Sequence, residues 1–249
     1  MELNILKKLL LLFISMSLHL SAETLPDELS VMTLNVYGWK TMPQHSDDYA
    51  QLIKSNNIDI VGIQEGADDW KLTSKYPTDY SRSIKLNESL GECWQHKFQI
   101  FINQCAGVAF IESGRFDLTD GKNATRTGEY AIITKLKDEK ANNKYLFVNI
   151  HWDHESEETR IANANETASL INSINIIKEY PTILVGDFNS QCNSKAVSMM
   201  QLKTKMTLLK HAGIDCIFTK KLEGNANVIT ASPSDHPSII ATLVPQFPK

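Results

Sequence analysis

Two short strings hold the residue types best suited to chemistry. Gly186-Asp187-Phe188-Asn189 directly follows the apolar run Pro181 to Val185, and Ser234-Asp235-His236-Pro237 directly precedes the run Ser238 to Val244. Each puts a carboxylate and a second polar group where a buried strand meets a loop, the place where active sites collect on a rigid scaffold. Four more polar signals lie at or just past strand-like runs: Asn35, Glu65, His151 with His154, and Asp215. Singly each is ordinary, since Asp and Asn at strand ends are turn formers. Jointly they suit one reaction. A hard divalent cation such as Mg²⁺ takes one or two carboxylates, with waters and phosphate oxygens completing its shell, and Glu65 and Asp235 could supply them. A phosphoester under attack needs donors on its oxygens, which Asn35, Asn189 and a histidine could provide. The attacking water needs a carboxylate or histidine as base.

The elements that must position these groups are mostly strands. Apolar runs predict strands over 30–36, 58–63, 107–111, 116–118, 130–134, 145–150, 183–185, 214–218, 228–230 and 239–244. Residues 47–56 carry Tyr49, Leu52 and Ile53 at helical spacing. The longest helical pattern runs from Glu157 to Lys178, with Ile161, Ala164, Ala168, Ile171, Ile174 and Ile177 three or four apart. Ser156 is placed to cap it, acidic residues open it and Lys178 closes it, matching the helix dipole. Many strands under one or two long helices imply an α+β or layered α/β/β/α arrangement.

No repeat or linker divides the chain, and 249 residues with 42% hydrophobic content suit one large domain. Residues 1–22 stand apart: Lys7-Lys8, an apolar stretch from Leu9 to Leu20 and the small pair Ser21-Ala22 read as a secretory signal peptide. The apolar stretch is too short for a membrane span, so the expectation is an exported protein, periplasmic or extracellular, without a stable membrane anchor. The mature domain is then 23–249. Losing Lys7, Lys8 and Glu2 leaves it 23 basic and 28 acidic residues, a formal charge of −5. That charge does not favour non-specific nucleic-acid binding, although a bound cation can supply local positive charge. Cys93, Cys105, Cys192 and Cys216 form an even set behind the leader and suggest two disulfides; the favoured pairs are Cys93–Cys105 and Cys192–Cys216.

In order along the chain, Thr33-Leu-Asn-Val-Tyr-Gly38, Asp59-Ile-Val-Gly-Ile-Gln-Glu65, Asn149-Ile-His-Trp-Asp-His154, Gly186-Asp-Phe-Asn189, Gly213-Ile-Asp-Cys-Ile-Phe218 and Ser234-Asp-His-Pro237 resemble the endonuclease/exonuclease/phosphatase superfamily from about residue 30 to 244. The resemblance implies a four-layered α/β/β/α sandwich of two mainly antiparallel sheets, and Mg²⁺-dependent phosphoester hydrolysis, with Mn²⁺ or Ca²⁺ as substitutes. It implies that Glu65 is the principal metal ligand, accompanied by Asn35 and Asp235. Asp187 and Asn189 match the pair that positions nucleophile and phosphate, and His151, Asp215 and His236 the remaining catalytic set. Two histidine–carboxylate pairs are expected, His151 with Asp215 and His236 with Asp187. His154 and Arg160 are weaker candidates, as substrate contacts or as solvated helix-start residues.

The chain departs from the family pattern at Cys216, where the family has Tyr. Cys192 and Cys216 are similar to secreted pancreatic-type deoxyribonucleases. The stretch between Asn189 and Asp215 is short for the family, consistent with a lost loop or helix. Residues 190–221 hold six lysines and one acid; either they attract an anionic polymer or they form a soluble face. Trp39, Trp70, Trp94 and Trp152 could stack on bases, contact lipid or pack in the core, and Trp152 is expected to turn inward, away from His151. The leading expectation is a monomeric secreted nuclease on DNA or RNA. The alternatives are a phospholipid head-group hydrolase, such as a sphingomyelinase or phosphoinositide phosphatase, and an inactive binding protein on the same scaffold.

Overall fold

The computed structural model describes residues 28–67, 80–121, 125–135 and 143–246. The expected signal peptide, residues 1–22, and Trp70 lie outside them. Twelve strands and five helices follow one another among these residues: β1 Leu29–Asn35, α1 Gly38–Thr41, α2 Ser46–Ser55, β2 Ile60–Gln64, α3 Ser81–Leu90, β3 Trp94–Lys97, β4 Ile100–Asn103, β5 Val108–Thr119, β6 Thr125–Lys135, β7 Asn143–His151, α4 Glu157–Lys178, β8 Thr182–Asp187, α5 Lys195–Thr204, β9 Thr207–Ala212, β10 Asp215–Lys220, β11 Leu222–Ile229 and β12 Ser238–Pro245. Among them, no helix is long and apolar enough to cross a membrane.

The strands form two six-stranded sheets, ordered β11-β12-β1-β2-β4-β3 and β5-β6-β7-β8-β10-β9. Pairing is antiparallel except at the centre of each, where β1 runs parallel to β2 and β7 to β8. Those two parallel pairs need crossovers, which α1 with α2 and the long α4 supply. The sheets are therefore mixed and mainly antiparallel, as expected.

Strand periodicity explains the layers. On β1, Met32 and Leu34 face one way and pack with Tyr49 and Ile53 of α2 and Leu86 of α3. Val31 faces the other way and meets Ile60, Phe147, Ile183, Val185, Ile217 and Ile239 between the sheets. On β7, β8 and β10 the alternate residues Val148, Ile150, Leu184 and Phe218 pack outward on Ala164 and Ile171 of α4 and Met200 of α5. The result is four layers, helices–sheet–sheet–helices. Each large apolar side chain buried in these layers stabilises by about 1.5–3 kcal/mol.

Helix α4 spans the predicted residues, and the Ser156 hydroxyl accepts from the Thr159 N–H at 3.0 Å. Both expected disulfides are present, with Cα separations of 5.2 Å for Cys93–Cys105 and 6.4 Å for Cys192–Cys216. Several expectations need correction. Residues 108–111 and 116–118 belong to one long strand, β5, whose pairing with β6 shifts register between Phe110 and Glu112, while Gly107 ends the turn before it. The β3–β4 hairpin, α3, α5 and β9 were not predicted. Helix α5 and β9 fill most of the stretch between Asn189 and Asp215. Trp152 does turn away from His151 into the core, where it is fully buried beneath α4 with its indole N–H donating to Thr167. Trp94 is also core, whereas Trp39 is 63% exposed.

Candidate active site

The inner faces of both sheets change character at one end. On β1 the inward series is Val31, Thr33, Asn35; on β7 it is Phe147, Asn149, His151; on β8 it is Ile183, Val185, Asp187. Register aligns the polar ends, His151 opposite Asp187 and Asp187 opposite Asp215. Asn35, which lies opposite Gln64 on β2, completes the cluster from the facing sheet. The site is thus the top row of the inter-sheet layer.

Backbone geometry fixes the strand ends. Gly186 has φ +146°, and a Cβ there would lie 2.0 Å from the Ile150 carbonyl oxygen, so only glycine lets β8 approach β7 just before Asp187. Phe188 is buried against Trp152 at 4.7 Å and Phe218 at 5.3 Å. Anchoring it outward leaves Asp187 and Asn189 on the site side. Tyr37, Glu65 and Asn189 hold φ of 48°, 61° and 44°. Such conformations cost about 1–3 kcal/mol each away from glycine and cluster at functional sites. Gly38 packs against Glu65, where a Cβ would fall 1.8 Å from the Glu65 carbonyl oxygen.

Asn35 is the hub. Its side-chain N–H group donates to Asp187 at 3.1 Å and to Glu65 at 3.3 Å, while its Oδ1 accepts from the Tyr37 N–H at 2.9 Å. The Asn189 N–H donates to Asp187 at 2.7 Å, and its amide donates to the Trp152 carbonyl at 2.9 Å. Ser234 ties the last loop to β1: its hydroxyl donates to the Asn35 carbonyl at 2.6 Å and accepts from the His236 N–H at 3.0 Å.

The two histidines are paired the other way round from the sequence expectation. His236 Nδ1 lies 2.8 Å from Asp215 and 3.8 Å from Asp187, and His151 Nε2 lies 3.8 Å from Asp187. The reason is register: β7 runs beside β8, which sets His151 against Asp187, and Asp215 opens β10 under the His236 loop. Their charge states diverge accordingly. The Asp215 bond raises His236 to about 9 against the cost of partial burial, so it is charged at neutral pH. Burial, reinforced by the positive charge of Arg126, pushes His151 well down and keeps it neutral. Burial beside Asp215 pushes Asp187 up to about 7. Burial also raises Glu65 and Asp215, for Asp215 outweighing the attraction of His236.

The residues fit a divalent cation. Glu65 Oε2 and Asp215 Oδ1 are buried with no hydrogen-bond partner, an arrangement costly unless a ligand satisfies it. One ligand atom each from Asp187, Asp215 and His236 lie within 4.8 Å of one another. Asp235, the other expected ligand, is exposed, though its charge is felt at Glu65 and His236. A cation at Glu65 would hold a phosphate oxygen and offset its charge. The chain's own groups supply the rest: Asp187 can take a proton near neutral pH, Asn35 and Asn189 orient it, and His236 is a charged donor.

His154 and Arg160 lie to one side. Arg160 bonds the Asp153 carbonyl and Glu157, which makes it a brace for the start of α4. His154 is mostly exposed, with Nδ1 3.0 Å from the guanidinium of Arg126. Arg126 is the residue that sequence reasoning missed. It is buried, ion-paired to Asp120 at 3.3 Å, and donates to the same Trp152 carbonyl that accepts from Asn189. Nothing in Thr125-Arg126-Thr127 separates it from a solvated strand residue.

Among solved structures the chain is similar to an endonuclease/exonuclease/phosphatase family protein from Bacteroides thetaiotaomicron, with TM-score 0.72, 18% identity, and 88% of this chain and 98% of that one covered. It is similar to a mannosyl-6-phosphatase of the same organism, with TM-score 0.71, 18% identity, and 87% and 99% covered. It is also similar to D. rerio TDP2 complexed with a single-strand DNA product, with TM-score 0.60, 15% identity, and 87% and 99% covered. At these identities the likeness speaks for the fold alone. No curated protein sequence matches. The family description Endonuclease/Exonuclease/phosphatase matches residues 32–238, a span that holds every one of the clustered polar residues. The chain therefore belongs to the endonuclease/exonuclease/phosphatase family, whose members are hydrolases of phosphoester bonds.

Proposed function

We propose that this chain is an exported, divalent-metal-dependent phosphodiesterase acting on nucleic acid, with Mg²⁺ as its cation. The observation that carries the metal reading is that two carboxylates of the cluster each keep a buried, unpartnered oxygen: Glu65, which accepts from Asn35, and Asp215, which holds His236. In this reading Glu65, Asn35 and Asp235 serve the cation and phosphate, and Asn35 and Asn189 hold Asp187 toward the attacking water. Charged His236 faces the anionic phosphate, and neutral His151 stands by Asp187 on the other side. Export rests on Lys7-Lys8 with the apolar stretch up to Leu20.

The preference for nucleic acid rests on the rim. Trp39 is 63% exposed and meets Tyr37 edge-on at 4.9 Å, and Lys40 lies over the Tyr37 ring. Tyr37 is bonded directly to Asn35. An exposed aromatic beside a cation, adjoining a phosphate site, suits a stacked base with its backbone. A second reading, a phosphomonoesterase on a small sugar phosphate, is favoured by the likeness to the mannosyl-6-phosphatase. The test is to incubate the protein with Mg²⁺, then with EDTA, against plasmid DNA, single-stranded DNA, RNA, mannose 6-phosphate, sphingomyelin and a phosphoinositide. EDTA-sensitive cleavage of a polynucleotide is expected. Release of phosphate from the sugar alone would establish the second reading, and lipid cleavage alone would overturn both.

A further inference from the structure

The layer between the sheets is largely apolar, and a polar belt lies immediately beneath the site. Thr33, Gln64, Gln99, Glu129 and Asn149 are each no more than 3% exposed. Gln64 donates through its amide to Asn149 Oδ1 at 2.7 Å, and to Thr33 and the Gly62 carbonyl at 3.2 Å. Asn149 donates to the Ile63 carbonyl at 2.8 Å and to Glu129 at 3.3 Å. Glu129 accepts from the Gln99 N–H at 2.9 Å and from its amide at 3.3 Å. Thr33, Ile63, Gln64 and Gln99 lie on or next to strands of one sheet, Glu129 and Asn149 on strands of the other. The Gln64–Asn149, Asn149–Ile63 and both Gln99–Glu129 bonds therefore cross the gap.

Burying this many polar groups, one a carboxyl, is costly where an apolar pack would serve. Apolar contacts are not directional, and the Lys135–Asp59 ion pair joins the sheets only at the end away from the site. Hydrogen bonds are directional. Gln64 immediately precedes Glu65, and Asn149 shares the inward face of β7 with His151 two residues on. Gly62 makes room: a Cβ there would lie 2.7 Å from both Asn149 Oδ1 and a Val185 methyl.

We propose that Gln64 and Asn149 are positioning residues whose buried amide pair sets the offset between the sheets at the site, and so fixes Glu65 relative to Asp187 across the Asn35 bridge. Its kinetic readout rests on the phosphoesterase reading; its structural readout does not. In the variant Gln64→Leu/Asn149→Leu both partners are removed, which leaves neither unsatisfied by the other. Crystals of that variant are expected to show Glu65 displaced from Asp187 by about 1 Å, a misplacement worth about 10²-fold in rate. The Asn35 bridge between them should be broken. Mn²⁺ affinity by calorimetry should fall at least about tenfold, in keeping with the cost of losing outer-shell support, and kcat should fall with KM little changed. The exchange Gln64→Asn/Asn149→Gln, which keeps one amide of each length, should recover both. A leucine pair with the parent's Asn35–Glu65 and Asn35–Asp187 separations would overturn the proposal. If the leucine pair does not fold, Asn149→Ala takes its place under the same criterion. If the parent cleaves no phosphoester, the reading of function fails while the crystal comparison still decides the positioning.

Discussion

The two ends of the inter-sheet layer are built by the same strands in the same register, yet they do opposite things. At one end Val31, Phe147, Ile183 and Ile217 close a dry core. Four residues along β1, β7 and β8 the same faces present Asn35, His151 and Asp187, whose polar atoms are buried and partly unsatisfied. The apolar end contributes stability and no chemistry. The polar end gives up stability, through buried carboxylates and left-handed backbone at Tyr37, Glu65 and Asn189, in return for groups held in fixed relation.

That contrast can be broken most sharply at Asp187. Asp187→Asn keeps the shape but removes the proton acceptor, and should lower kcat/KM by about 10³–10⁴-fold. It should raise rather than lower thermal stability in EDTA, because a buried charge is removed. Comparable loss of stability and activity would merge the two ends into one. The converse is Phe147→Ala at the apolar end. It should cost about 3–5 kcal/mol in urea unfolding, while kcat per folded molecule stays near that of the parent.

His236→Gln is the next step down, an expected loss of about 10²-fold. In the parent, kcat/KM should rise as Asp187 ionises through about 7 and fall as His236 deprotonates through about 9; a bound cation would move the acid limb lower. The variant should lose the alkaline limb, and an unchanged limb would remove His236 from the reaction. The same shifts predict stability. Both groups bind protons more tightly folded than unfolded: Asp187 from 3.8 up to about 7, His236 from 6.5 up to about 9. His236's contribution is full below about 6.5 and lost as pH passes about 9. The cost of Asp187 appears as pH rises from about 4 through 7. Metal-free protein should thus unfold at lower urea at pH 9 than at pH 6. The smallest expected effect lies outside the inter-sheet layer: Ser156→Ala removes the α4 cap and should cost about 1 kcal/mol, with little change in the pH profile.

Legibility in the sequence followed the same division. Polar residues that interrupt an apolar strand could be read, because Asn35, Asp187 and Asp215 stand out at the ends of runs such as Thr182–Val185. Helix α4 was legible because its cap, period and acidic first turn all agree. What stayed hidden depends on contacts across the gap. Gln64 and Asn149 look like ordinary strand-end residues until the sheets face each other. Arg126 gains its meaning only from Asp120 and the Trp152 carbonyl. The histidine pairing was reversed because it depends on which strands neighbour β8, and one-dimensional spacing does not hold that information. Helix α5 escaped because its buried residues, Ala196, Val197, Met200 and Thr204, sit in a short segment otherwise mixed with Ser, Gln and Lys.

The placement of β12 between β11 and β1 carries a consequence for how the protein comes into being. Asn35 lies early in the chain and His236 late, and the Ser234 hydroxyl bonds the Asn35 carbonyl across 199 positions. Until β12 pairs with β1, the far edge of β1 is open and the loop carrying Ser234 and His236 is not held beside Asn35 and Asp215. The cluster is therefore completed only when the segment leading into β12 docks beside β1, which joins the early and late parts of the chain in one site.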